Sequence, residues 1–294
     1  MEIRNVFVVG SGLMGSGIAQ VTAFAGYKVK MHDVEEKFTA KGLEAIKGSL
    51  GKFLSKEKIT QEQHDAALAN LTTTTELADA SDADLVVEAV FENLEVKSEV
   101  FGELDRICPP HTILATNTSA IPISSLAAAT QRPDKVVGTH FFSPVPLMRL
   151  CEIIRGLQTS EETLDAAEAW ARSVGKETVR VLKDHAGFIA NRIYLPMGVE
   201  AVKMLEAGVA TPEDIDKAMR TGYNLPMGPL ELADMTGIDV LMNACTAIYN
   251  DTGDPKFYPP PLMRRMVAAG LLGRKTGKGY YDYSSGKQES YWKL

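Results

Sequence analysis

Asn5-Val6-Phe7-Val8-Val9-Gly10-Ser11-Gly12-Leu13-Met14-Gly15 decides the fold of this chain. Val6–Val9 is a short apolar run, the pattern of a parallel strand buried on both faces. Leu13–Ala25 follows as a helix, so Gly-x-Gly-x-x-Gly sits between a strand and a helix, the context that makes it informative. Gly10 allows a tight turn, Gly12 lets a pyrophosphate approach the backbone, and Gly15 lets the helix lie close on the strand. Leu13 and Met14 complete the loop, and the helix start offers free N–H groups and a partial positive charge to phosphates. Tyr27–His32 reads as the next strand. Asp33 ends it, 18 residues beyond Gly15, where a carboxylate accepts hydrogen bonds from adenosine ribose hydroxyls. It would repel a 2′-phosphate, and Val34, Glu35 and Glu36 supply no arginine to receive one. The pattern favours NAD over NADP, with FAD as the competitor.

Outward from this unit the alternation continues. Glu35–Ser55 reads as a long charged helix and Asp84–Glu88 as a buried strand, followed by a helical stretch through Arg106. Thr112–Ala115, Val136–His140, Leu150–Ile154 and Thr178–Leu182 read as strands, with an amphipathic helix over Glu161–Val174. Such alternation implies a mostly parallel sheet with helices on both faces. Lys28 and Lys30 are expected to be solvated. After Lys183 strand signals nearly vanish, and Phe188–Ala207, Pro212–Thr221, Leu230–Tyr249 and Leu262–Ala269 read as helices. The expected organisation is α/β: a Rossmann-type nucleotide-binding domain over 1–183 and an all-α domain over 184–294.

The 294 residues suit two domains. A net charge of −7 argues against nucleic acid, whose binding draws on Lys and Arg. Cys108, Cys151 and Cys245 are sparse and odd in number, which argues against a disulfide framework or a zinc site and fits a reducing cytoplasm. No metal is expected. No stretch approaches the ~18 apolar residues of a membrane span, and the N-terminus lacks the pattern of a signal peptide.

Carbonyl reduction leaves an alkoxide that must be protonated, a task histidine performs near neutral pH in either direction. Of five histidines, His140 closes the strand Val136–His140, and the carboxyl ends of such strands line the ligand crevice. A structural role is the alternative. His32 reads as a strand residue, His64 as solvated on a polar helix, and His111 as part of a turn after Pro109-Pro110. Asn117-Thr118-Ser119 follows another strand and could contact a ligand oxygen, although the pattern favours capping of the next helix. Glu152, inside the apolar run Leu150–Ile154, needs a partner if buried. An imidazole would serve, and an edge-strand glutamate facing water is the alternative. Asn191, one turn into a helix, could equally be a satisfied core amide.

Together these segments resemble the L-3-hydroxyacyl-CoA dehydrogenase family, closest to its bacterial 3-hydroxybutyryl-CoA members, over nearly the whole chain. The motifs are Gly10-Ser-Gly-Leu-Met-Gly15, Ala115-Thr-Asn-Thr-Ser119, His140-Phe-Phe-Ser-Pro144, Gly187-Phe-Ile-Ala-Asn-Arg192, Pro226-Met-Gly-Pro-Leu230 and Gly273-Arg-Lys-Thr-Gly-Lys-Gly-Tyr280. The resemblance implies an NAD-dependent oxidoreductase interconverting short-chain (S)-3-hydroxyacyl-CoA and 3-oxoacyl-CoA, in butyrate or fatty-acid metabolism. It implies His140 as general acid/base, Glu152 as its orienting partner, Ser119 on the reacting oxygen and Asn191 on the substrate. Glu92, Lys97, Asn117, Ser119, Ser143 and Lys275 match cofactor positions, and Ser49 and Lys56 match CoA positions. Lys52 shares a helix face with that pair, giving an acidic protein a local basic strip for phosphates. Ser143, Ala120 and Ala186 depart from the usual Asn, Ser and Pro. The resemblance also implies a homodimer, or a higher homo-oligomer, formed through the second domain. Two rivals are a dehydrogenase of a free 3-hydroxy acid and a non-catalytic, crystallin-like structural protein of the same fold.

Overall fold

The computed structural model describes residues 2–285, 289, 290 and 292. Two compact units emerge, Met1–Phe188 and Ile189–Leu294. The first begins β1 (Asn5–Val9), α1 (Leu13–Phe24), β2 (Lys28–His32), α2 (Glu36–Ser55), α3 (Gln61–Ala69), β3 (Leu71–Thr74) and β4 (Leu85–Glu88). It continues through α4 (Leu94–Ile107), β5 (Ile113–Thr116), α5 (Ile123–Ala127), β6 (Val136–Phe141), β7 (Leu150–Ile154), α6 (Glu161–Ser173) and β8 (Glu177–Val181).

The eight strands form one sheet in the order β3-β2-β1-β4-β5-β6-β7-β8. All neighbours pair in parallel except β6 and β7. Side chains alternate across a strand, so β1 feeds two cores. Val6 and Val8 join Leu85, Val87, Ile113 and Ala115 on the face covered by α1, α2 and α6. Phe7 and Val9 join Val86, Leu114 and Val136 on the face covered by α4 and α5. Continuous apolar strands follow directly from this double burial.

β3 is a strand that the residue pattern does not announce. Leu71-Thr-Thr-Thr74 buries only its leucine, and this edge strand lacks the apolar run that announces the others. The reversal of β7 was also not anticipated. Residues 184–188 pack with the first unit: Asp184 accepts from the Ser124 amide and hydroxyl, both at 2.7 Å, and Phe188 enters the second core.

The second unit comprises α7 (Ala190–Glu206), α8 (Pro212–Gly222), α9 (Pro229–Thr236), α10 (Ile238–Thr252) and α11 (Pro261–Ala268), followed by a short antiparallel pair of β9 (Tyr281–Asp282) and β10 (Glu289–Ser290). Two expectations change here. Leu230–Tyr249 is not one helix: Gly237 adopts φ +108° and separates α9 from α10. The β9–β10 pair lies in a region read as purely helical.

Candidate active site

Gly10, at φ +97°, turns the chain out of β1, and its N–H donates to the His32 carbonyl at 2.8 Å. A Cβ at Gly10 would sit 2.7 Å from the Ala89 carbonyl oxygen, and one at Gly15 would sit 1.8 Å from that of Gly10. Both glycines are therefore required by close packing. Gly12 differs. It is the N-cap of α1, has no capping side chain, and a Cβ there would meet nothing within 4 Å. The start of α1 thus faces open space with unsatisfied N–H groups, which suits a pyrophosphate. Leu13, the first residue of α1, is exposed, and Met14 packs against the first core. Asp33 follows β2 immediately. Its Oδ2 accepts from the Ser11 amide (2.8 Å) and hydroxyl (2.7 Å), and its Oδ1 accepts from the Val34 amide. The glycine loop itself holds this carboxylate in place, and acceptor capacity remains for a ribose. These residues fit a dinucleotide.

His140 is the penultimate residue of β6 and is 5 % exposed. Its register partner across the antiparallel β6–β7 pair is Glu152, and directly opposed residues project from the same face. Glu152 Oε2 lies 2.7 Å from His140 Nδ1, and the glutamate is fully buried. β7 lies between β6 and β8, which excludes the water-facing edge glutamate. The imidazole is flanked by the rings of Phe142 and Phe188, at centroid distances of 4.5 and 5.6 Å.

The turn after β5 carries the next group. Asn117 Oδ1 accepts from the Phe141 amide at 2.9 Å, joining this turn to the residue after His140. Thr118 Oγ1 donates to Glu92 Oε1 (2.6 Å) and accepts from the Ile121 amide (2.9 Å). The same Glu92 oxygen accepts from the amides of Ser119 (2.8 Å) and Ala120 (3.1 Å) and, at 3.3 Å, from the Ser119 hydroxyl. The expected capping of the following helix is overturned. α5 begins after Pro122 with no side-chain cap, and the polar triplet serves the turn instead. Burial raises the Glu92 carboxyl pKa, but the Lys97 charge and these hydrogen bonds outweigh it and hold the pKa below the usual value.

Lys97, on α4, is 1 % exposed. Its ammonium lies 2.7 Å from Glu88 Oε1 and 3.4 Å from Glu92 Oε2. Glu88 was not singled out from the sequence, although a carboxylate closing the apolar strand Leu85–Val87 was a legible signal, because such a group must find a partner. Ser143 is exposed. The segment after it is held by buried Lys176, which donates to the carbonyls of Val145 (2.6 Å) and Met148 (2.9 Å).

Half-buried Ser49, exposed Lys52 and exposed Lys56 occupy the last turns of α2, with Lys56 as the C-cap. In the second unit, Asn191 lies in the first turn of α7 rather than one turn in, because the helix starts at Ala190. Lys275 is salt-bridged to Asp239 at 2.6 Å. Among the other histidines, His32 is buried in β2 and burial lowers its pKa. His64 is largely covered and meets Asp65 at 2.8 Å, so it is less solvated than expected. His111 lies 3.2 Å from Asp84. Lys28 and Lys30, expected to be solvated, reach Asn70 and Asp82. All three cysteines are free and buried. Among the described residues no group of three or more acidic, histidine or cysteine side chains could hold a metal, and no helix is long and apolar enough to cross a membrane.

Residues 5–185 match the NAD binding domain of 3-hydroxyacyl-CoA dehydrogenase, and residues 187–283 match its C-terminal domain. The chain is 46% identical over 283 residues to a 3-hydroxybutyryl-CoA dehydrogenase of Mycobacterium tuberculosis, covering 96% of this chain and 99% of the relative. It is 43% identical over 288 residues to the mitochondrial hydroxyacyl-coenzyme A dehydrogenase of Sus scrofa, covering 96% and 91%. Its structure superposes on that of an (S)-3-hydroxybutyryl-CoA dehydrogenase from Ralstonia eutropha with a TM-score of 0.91 at 45% identity, covering 96% of this chain and 100% of the other.

Proposed function

The chain belongs to the 3-hydroxyacyl-CoA dehydrogenase family, and from that premise we propose how its residues carry out the NAD-dependent interconversion of short-chain (S)-3-hydroxyacyl-CoA and 3-oxoacyl-CoA. The enzyme is an oxidoreductase that uses NAD. Its substrate in this reading is the 3-hydroxybutyryl-CoA/acetoacetyl-CoA pair. The observation that carries the reading is the buried His140–Glu152 hydrogen bond at 2.7 Å, at the carboxyl end of a parallel strand.

NAD(H), when bound, supplies or accepts the hydride at C3. Gly10, Gly12, Leu13, Met14 and Gly15 would receive its pyrophosphate and Asp33 its adenosine ribose, with Glu92, Asn117, Ser143 and Lys275 as further contacts. His140 Nδ1 is engaged by Glu152, so proton exchange with the substrate oxygen falls to Nε2. In reduction His140 gives that proton to the developing alkoxide, and in oxidation it takes one from the alcohol. Glu152 orients the ring and stabilises its charged form. The Ser119 hydroxyl donates to the same oxygen, a preorganised effect. Asn191 places the substrate, and Ser49, Lys52 and Lys56 meet the CoA phosphates.

A homodimer through the helical unit belongs to the same reading, since Ile193, Tyr223 and Val240 expose large apolar side chains there. So does a cytoplasmic location, which suits three free thiols. Neither rival, the free-acid dehydrogenase or the crystallin-like protein, is favoured by the relatives. The test follows nicotinamide absorbance with acetoacetyl-CoA and free acetoacetate, each with NADH and NADPH. The expected result is turnover of the thioester with NADH. Turnover of the free acid alone would move the protein to the first rival, and turnover of neither to the second.

A further inference from the structure

Glu88 closes β4 and is fully buried, yet its carboxylate makes three polar contacts. Its Oε1 accepts from the Val90 amide at 2.6 Å and from Lys97 Nζ at 2.7 Å, while Oε2 accepts from the Thr116 hydroxyl at 2.7 Å. Thr116 Oγ1 in turn accepts from the Thr118 amide at 3.2 Å. Two routes therefore run from Glu88 to the turn that holds Ser119. One passes through Thr116 and Thr118. The other passes through Lys97 and Glu92, whose Oε1 collects the Thr118 hydroxyl, both turn amides and the Ser119 hydroxyl.

Two carboxylates share one buried ammonium, and they share it unequally. Lys97 sits at 2.7 Å from Glu88 and at 3.4 Å from Glu92. A buried cation demands a close anionic partner. With Glu88 filling that demand, Glu92 is drawn no closer to Lys97 than 3.4 Å and keeps its Oε1 on the turn. The Ser119 hydroxyl is held only at 3.3 Å, longer than a good O–H···O bond, so it exchanges readily for a ligand oxygen while its amide stays fixed at 2.8 Å.

We propose that Glu88, together with Thr116, is a positioning residue for the dehydrogenase reaction: by saturating Lys97 it leaves Glu92 free to fix the turn that aims the Ser119 hydroxyl at the substrate oxygen. The inference rests on Ser119 acting as described under the proposed function. Removing the Glu88 charge forces Lys97 onto Glu92, shortening the 3.4 Å contact at the expense of the turn. No contact between Glu88 and either ligand is required.

The experiment is a double-mutant cycle on the full chain, with Glu88→Gln, Ser119→Ala and the combination, reading kcat for acetoacetyl-CoA reduction. Glu88→Gln is expected to lower kcat about 10- to 100-fold when Ser119 is present, the scale of a small misplacement. In the Ser119→Ala background the further loss is expected to be less than about threefold, since residues acting through one group are not additive. Hydrogen exchange supplies a readout independent of turnover: the Ser119 and Ala120 amides should exchange faster in Glu88→Gln, with the β5 amide of Leu114 unchanged. Equal losses in both backgrounds, or unchanged exchange at Ser119 and Ala120, overturn the inference. Ser119→Ala at full turnover overturns the reading of Ser119 itself and this inference with it. A normal Glu88→Gln beside an impaired Ser119→Ala overturns only the inference. If Glu88→Gln does not fold, Thr116→Val, which keeps the side-chain shape and removes one hydroxyl, enters the same cycle with the same non-additivity expected.

Discussion

His140 and Glu152 are both buried in the sheet. Replacing either by glutamine keeps its bulk but removes the proton carrier or the anion that stabilises it. His140→Gln and Glu152→Gln are expected to lower kcat by about two to four orders of magnitude, the usual worth of general acid–base catalysis, while NADH binding followed by fluorescence stays within a few-fold. A near-normal kcat for His140→Gln would remove that residue from the mechanism. Asp33 acts on the choice of cofactor. Its carboxylate is pinned by Ser11 beside the loop expected to bind phosphate, where it opposes a second phosphate by like-charge repulsion. Asp33→Ala is expected to raise the NADPH-to-NADH ratio of kcat/KM about tenfold or more. An unchanged ratio would show that selection lies elsewhere.

Helices and strands deliver these groups through their ends. β1, β4, β5 and β6 run parallel, so Gly10, Glu88, Asn117 and His140 all fall at carboxyl ends. β7 runs antiparallel to β6, and β8 follows its direction, which lets a residue in mid-strand face His140. The break between α9 and α10 is similarly specific. Gly237 has φ +108°, and a Cβ there would meet Asp239 Oδ1 at 3.0 Å and Lys275 Nζ at 3.2 Å. Gly237→Ala is expected to cost roughly 1–3 kcal/mol through backbone strain, seen as a lower unfolding midpoint in urea. An unshifted midpoint would mean that the α9–α10 junction tolerates another backbone conformation.

At the scale of the whole molecule, buried acids of the second unit make stability depend on pH. Asp216 and Asp234 are both fully buried in the second unit. Asp216 accepts from the Leu230 and Glu231 amides that begin α9, and Asp234 accepts from the Tyr280 and Tyr281 amides and the Tyr283 hydroxyl. Burial pushes the Asp234 carboxyl up to about 6, the hydrogen bonds offset part of that rise, and the Asp216 charge adds to it. A folded pKa above the unfolded value of 3.8 means that the folded state holds its proton longer. The stabilising preference is complete below about pH 4 and is lost as pH rises through about 6. Asp234→Asn removes this dependence. Whatever its constant offset, its stability relative to wild type should improve by on the order of 3 kcal/mol between pH 4 and pH 7, measured by urea unfolding. A constant difference across that range would show that Asp234 ionises at the same pH in both states.

The apolar run before Gly10, the three spaced glycines, Asp33 and the strand–helix alternation were legible in the sequence because each is a local pattern imposed by covalent geometry or by burial on one face. His140 was legible as a polar residue ending such a strand. The break at Gly237 was not, because a lone glycine inside a helical apolar pattern is tolerated more often than it interrupts. β3 was not, because Leu71–Thr74 is polar and holds its place by pairing with β2. The sharing of Lys97 between Glu88 and Glu92 and the capture of Asp33 by Ser11 were decided only by the tertiary structure, which also chose for Glu152 between the imidazole and the water-facing edge that the sequence left open. Each joins residues on different elements, through strand direction and a buried charge's need for a partner, and neither of these is written in the spacing of residues along one chain segment.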